Sequence, residues 1–252
     1  MRVLACGAVV CAVAGIAATS AAPVVALRSA SLVGKTVVID PGHNGGNGAA
    51  PGTIGRIVPA GRGFTKACDT SGTATNDGRL SEAAYTWAVA RRLRSRLLAR
   101  GARVVMTRAD NTGVGPCINR RAAIGNAARA DAVVSIHADG GPPGGSGFHV
   151  IYPASTPRLV APAIVAPSGR LARVVRAAML RAGFRRASYI GRDGLDARDD
   201  LGGLNLSRVP KVFVETGNMR NAGDAHWMER GAGRQRVAQA LANGLAAFLG
   251  RS

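Results

Sequence analysis

Four residues of this chain have side chains suited to hydrolytic metal chemistry: His43, Glu82, His137 and Glu215. Two imidazoles and one carboxylate are a common ligand set for catalytic zinc, which keeps a fourth position open for water. A further carboxylate beside such an ion can serve as general base. Two half-buried glutamates close together would also repel each other unless a cation lay between them. His43 stands in Asp40-Pro41-Gly42-His43, and His137 in Ser135-Ile136-His137-Ala138-Asp139. Glu215 ends Val212-Phe213-Val214-Glu215, and Glu82 follows Ser81. Of the remaining histidines, His149 is placed near this group, and His226, beside Trp227, is read as structural on a surface helix.

The elements that must position these residues are legible as pattern. Residues 36–40, 102–107, 132–137 and 211–215 are short, apolar and β-branched, as buried strands are, and 147–152 reads as an additional strand. Ser81 is an N-cap for a helix running to Arg100, with Gly101 at its end. Helical spacing recurs over 119–129, 168–182 and 234–249. Strands alternating with helices predict a single α/β domain, a mostly parallel twisted sheet with helices on both faces. In such a sheet the carboxyl ends of strands and the amino ends of the following helices share one edge, where ligands bind. His43, His137 and Glu215 lie at strand ends. Glu82 opens a helix whose positions 82, 86, 89, 93 and 97 share a face, the last three being Val89, Leu93 and Leu97. All four therefore converge on that edge. The Gly-, Thr- and Asn-rich segment 44–79 is too long for an ordinary connection and is expected to be functional or tied down. Residues 153–167, with four prolines, are expected to form an extended surface loop.

Composition narrows the remaining choices. The chain has 252 residues, a net charge of +19 and only 4% aromatic residues. Of its 33 basic side chains, three are lysines (Lys35, Lys66, Lys211) and 30 are arginines. Such a balance favours acidic partners. No stretch interleaves arginine with aromatics as a single-strand platform would, so no nucleic-acid partner is expected. Arg2, an apolar run from Val3 to Ala18 and small residues to Ala22 describe a secretory signal peptide over residues 1–22. A retained anchor is the alternative. Residues 23–34 are then a linker, and 35–250 the catalytic domain, with no length left for a separate binding module. Cys6 and Cys11 fall in the signal segment, and Cys68 and Cys117 are left as an even pair in an exported protein. Such a pair reads as a disulfide tethering the long loop.

At these residues the chain resembles the zinc-dependent N-acetylmuramoyl-L-alanine amidases, bacterial wall hydrolases with an Asp-Pro-Gly-His start. The likeness runs from about Lys35 to Leu249. It rests on residues 38–43, Glu82, residues 101–108, Arg121 with Asn126, residues 135–138, and residues 210–217 with Asn221. It implies one zinc ion held by His43, Glu82 and His137, with Glu215 catalytic. It also implies hydrolysis of the amide between the lactyl group of N-acetylmuramic acid and L-alanine, in peptidoglycan or its muropeptide fragments. Asn44 and the run from Asn218 depart from the family pattern and are read as possible substrate-side positions, while Arg121 and Asn126 are expected to support the fold. The net charge suggests attraction to anionic wall polymers, and a monomer is favoured. A wall peptidase and a metal-free wall-binding protein are the competing classes.

Overall fold

The β-branched segments pair as their burial requires. In the computed structural model, β1 (Thr36–Pro41), β4 (Arg103–Met106), β5 (Ala132–Asp139), β8 (Lys211–Asn218), β6 (His149–Pro153) and β7 (Leu195–Arg198) form a six-stranded sheet in the order β4-β1-β5-β8-β6-β7. All neighbours run parallel except β6 and β8. Residues 1, 3–4, 31–156 and 158–250 are described. The expected signal peptide beyond those first positions, with Cys6 and Cys11, and the linker up to residue 30 lie outside them. Among the described residues no helix is long and apolar enough to cross a membrane.

The two faces of the sheet differ in kind. Val37, Ile39, Val134, Ile136, Val212 and Val214 point to one face, fully buried in the main core. Three long helices cover that face: α2 (Glu82–Leu98), α4 (Pro162–Arg181) and α7 (Gly231–Leu249). Alternate residues on the same strands point the other way, because side chains on a strand alternate. There Val38 and Val133 make a small cluster under α3 (Ile118–Ala127). Beyond it the face carries Asp40, Ser135, His137, Lys211, Phe213 and Glu215. Helices thus lie on both faces, with the bulk of the core on one.

α2 starts where its cap predicts: the Ser81 hydroxyl accepts the Ala84 amide, and Glu82, Thr86, Val89, Leu93 and Leu97 are all buried. The proline-rich stretch departs from expectation. α4 begins at Pro162, whose missing amide costs nothing at a first helical position, and it runs through Pro167. Ile164, Ser168 and Leu171 are buried around that proline, so packing outweighs the lost hydrogen bond. The long segment after β1 holds a short helix α1 (Pro51–Ile54) and a hairpin of β2 (Ile57–Gly61) and β3 (Phe64–Ala67). A disulfide between Cys68 and Cys117 ties it to the start of α3. Two further short helices, α5 (Gly202–Asn205) and α6 (Ala222–Met228), complete the chain, and His226 is exposed on α6.

Candidate metal centre

The loop leaving β1 turns at His43, which adopts a left-handed backbone conformation (φ 56°). Such a conformation in a non-glycine residue persists only where the surroundings fix it. Here the fixing contacts are visible. His43 Nδ1 lies 3.0 Å from Asp69 Oδ1 and 3.1 Å from the Thr70 carbonyl oxygen, two acceptors that fix a proton on Nδ1 and turn Nε2 towards Glu82. That Nε2 stands 3.3 Å from Glu82 Oε2. On the other side, His137 Nδ1 is 2.9 Å from Glu82 Oε1. The two imidazoles meet edge to face with centroids 5.1 Å apart, and His137 stacks on Phe213 at 5.3 Å. One ligand atom from each of His43, Glu82 and His137 lies within 4.8 Å of the others.

Close backbone approach makes this possible. A Cβ at Gly42 would stand 2.3 Å from the His137 ring, so the glycine of Asp-Pro-Gly-His is a steric requirement. Gly72, at φ +77°, lets the loop pass over Glu82, whose Oε2 accepts the Thr73 amide at 3.0 Å.

Beneath the ligands lies a buried ionic network. Asp40 accepts from Lys211 Nζ at 3.0 Å, Arg121 at 2.9 Å, Ser135 at 2.9 Å and Thr107 at 2.7 Å. Burial alone would raise the Asp40 pKa, yet Lys211 and Arg121 hold it far below the usual carboxylate range. Arg121 also donates to the His43 carbonyl at 2.8 Å and to Asp69 Oδ2 at 3.2 Å. It thereby joins the centre of the sheet to the group that orients His43. Asn126 bridges the Leu206 carbonyl and the Arg208 amide.

Electrostatics distinguish the two glutamates. Burial disfavours ionised Glu82, but His43 and His137 hold its pKa below the usual carboxylate range. Burial would likewise lower His43, and Glu82 and Asp69 overcome it, pushing its pKa up to about 10. Glu215 behaves oppositely. Burial, then the carboxylates of Glu82 and Asp139, push its pKa well above the usual range. Its Oε2 is sealed from solvent and has no hydrogen-bond partner among the described residues. A cation at Glu82 would relieve part of that repulsion, which is the chemistry expected beside a divalent ion.

Glu215 sits in register with His137 of β5 on one side and with His149 of β6 on the other, so all three share a sheet face. His149 is buried, its Nδ1 has no hydrogen-bond partner among the described residues, and its ring meets the edge of Tyr189. Burial lowers its pKa, keeping it neutral. Tyr189 donates to Asp139 at 3.0 Å. A cavity of about 200 Å³ opens beside His43 and His137, with Phe213, Ile118 and Leu201 among its walls.

Asn44 is buried in the loop after β1, and Asn218 is buried at the end of β8. Asn44 donates to the Gly115 carbonyl at 2.9 Å, and Asn218 donates to those of Pro142 and Gly145, each at 2.8 Å. Their amides are committed to loop shape, so an effect on substrate passes through those loops. Sequence reading missed Asp69, Lys211, Phe213, Asp139 and Tyr189 as parts of this surround. For Asp69 the available signal was its place next to Cys68; for Lys211 and Phe213 it was their positions four and two residues before Glu215, on the same strand face.

Comparison with known proteins shows the family. A family model described as N-acetylmuramoyl-L-alanine amidase matches residues 37–247. The N-acetylmuramoyl-L-alanine amidase Rv3717 of Mycobacterium tuberculosis is 46% identical over 240 residues, covering 94% of this chain and 97% of that protein. The crystal structure of the amidase Ami1 from Mycobacterium smegmatis superimposes with a TM-score of 0.83 at 46% identity, covering 88% of this chain and all (100%) of that one. The apo Ami1 of Mycobacterium abscessus gives 0.81 at 47% identity, covering 86% of this chain and 100% of that one. With the fold and these relatives in agreement, the chain belongs to the N-acetylmuramoyl-L-alanine amidase family and is a peptidoglycan amidase.

Proposed function

We propose that this amidase is an exported zinc enzyme in which His43 Nε2, a Glu82 carboxylate oxygen and His137 Nδ1 hold the ion and Glu215 is the general base. The observation that carries this reading is the clustering of the three ligand atoms within 4.8 Å, with Glu215 one strand away in register. Two nitrogens and one carboxylate oxygen fit zinc, which accepts such mixed donors. When bound, the ion supplies Lewis-acid chemistry, acidifying a water and polarising a carbonyl oxygen. Asp69 and the Thr70 carbonyl orient His43, and Phe213 fixes the plane of His137. Glu215 accepts the proton of the attacking water and returns it to the departing amine of L-alanine. The scissile bond joins the lactyl carbonyl of N-acetylmuramic acid to the stem peptide, and muropeptide fragments serve as substrate.

The test is digestion of a purified muropeptide by zinc-loaded, chelated and Glu215→Gln protein, with the products identified by mass spectrometry. Release of an intact stem peptide beginning with L-alanine, abolished by the chelator and by Glu215→Gln, is expected. Cleavage between amino acids of the stem would assign a peptidase instead.

A further inference from the structure

On the face of the molecule away from the metal centre, α2 and α7 enclose a groove of about 420 Å³ lined by Arg91, Arg92, Ser95, Arg96 and Gln235. Every lining side chain can donate hydrogen bonds, and none is acidic. The helices α2, α4 and α7 carry one carboxylate between them, Glu82, and it belongs to the metal centre. Among the described residues, Arg91, Arg92, Arg96 and the adjacent Arg234 form no ion pair. The Nε atoms of Arg96 and Arg234 are buried without an acceptor. Arg92 donates to the Ala88 carbonyl at 2.8 Å, and burial, followed by Arg234 and Arg91, depresses its pKa. Arg92 and Arg96 are also four residues apart on one helix, a spacing at which like charges destabilise. A cluster that only covered the helices would gain from an interleaved glutamate. This one concentrates cations and leaves donors unmet.

Guanidinium forks match phosphate oxygens in pairs. Arg91 and Arg96 are five residues apart, about 7.5 Å along the helix axis, which suits successive anionic groups on a chain better than one small ion. We infer that the α2–α7 groove is a binding site for a linear polymer carrying phosphate groups. The site is separate from the metal centre and does not depend on the zinc reading.

The experiment measures binding of labelled linear polyphosphate to the full chain by fluorescence anisotropy at fixed ionic strength. Two double variants of equal net charge are compared: Arg91→Ser with Arg96→Ser in the groove, and Arg170→Ser with Arg173→Ser at exposed positions on α4. Losing two sets of charge-assisted hydrogen bonds should weaken binding about ten-fold or more in the groove variant. The α4 variant should stay near the parent. Both should keep the parent's circular dichroism and its turnover of soluble muropeptide, since neither touches the metal centre. Equal losses in the two variants would reduce the effect to net charge and overturn the site. Absence of polyphosphate binding together with binding to phosphatidylglycerol vesicles would assign the groove to a lipid surface and overturn the polymer.

Discussion

Asp40 and His137 lie two strand positions apart in register terms, yet they answer for different properties of the protein. Replacing His137 by Ala removes a ligand of the proposed ion, so metal content measured by mass spectrometry and amidase turnover should both fall to background. Glu215→Gln should lose turnover by three orders of magnitude, about 4 kcal/mol of transition-state stabilisation, with metal content unchanged. Asp40→Asn tests stability instead. It leaves Lys211 and Arg121 buried without their shared counter-charge, a loss of about 3–5 kcal/mol by denaturant titration at pH 7. The Asp40 pKa is depressed in the folded state, so its contribution is fully present above about pH 4, the value of an unfolded aspartate. It fades as the pH falls below that, towards the folded-state value. The gap between parent and variant should therefore be constant from pH 8 to 5 and narrow in more acidic titrations. At this scale His43, Glu82, His137 and Glu215 were legible, because strand ends and a helix start are fixed by local pattern. Asp69 and Lys211 were not, because what gives them a role is pairing across 26 and 171 residues respectively, which no local spacing encodes.

The disulfide is the element that holds the long loop in place. Cys68 and Cys117 are 49 residues apart, a closure that contributes about 4 kcal/mol by chain-entropy reasoning. Asp69 follows Cys68 directly and orients His43, so the bridge also bears on the metal centre. Cys68→Ser with Cys117→Ser should lower the denaturation midpoint. It should also weaken zinc affinity by about ten- to a hundred-fold, as loss of an orienting partner does; competition with a chelating dye measures the second effect. An unchanged zinc affinity would separate Asp69 from the bridge. The strands at 36–40, 132–137 and 211–215 and the helix from Glu82 were readable because each is short, strongly apolar and bounded by its own stop signals. The hairpin 57–67 and strand 195–198 were not. β2 is interrupted by Pro59, which argues locally against a strand. β3 and strand 195–198 are four residues each, partly polar and partly exposed, so all are held by neighbours rather than by a hydrophobic pattern of their own. The start of α4 was hidden for a related reason: proline argues locally against helix, and only the burial of Ile164, Ser168 and Leu171 reverses that argument.

For the molecule as a whole, the charge is unevenly placed. The carboxylates cluster in the loops and at the site, while the outer sides of α2, α4 and α7 carry arginine alone. Long-range attraction between a cationic protein and an anionic wall is screened over about 10 Å at 0.1 M salt. The fraction of protein bound to intact wall in a sedimentation assay should accordingly fall as salt rises, with hydrolysis of a small muropeptide much less affected. A bound fraction indifferent to salt would remove charge from wall attachment.

The two-sided sheet has a further consequence. Side chains of the candidate site and of the buried Asp40 network share one parity of β5 and β8, and the main apolar core occupies the other. An exchange at Phe213 would therefore reshape the floor beside His137 without removing a methyl group from beneath the three long helices. On the site face it is the Asp40 network that limits which positions can change without cost to folding.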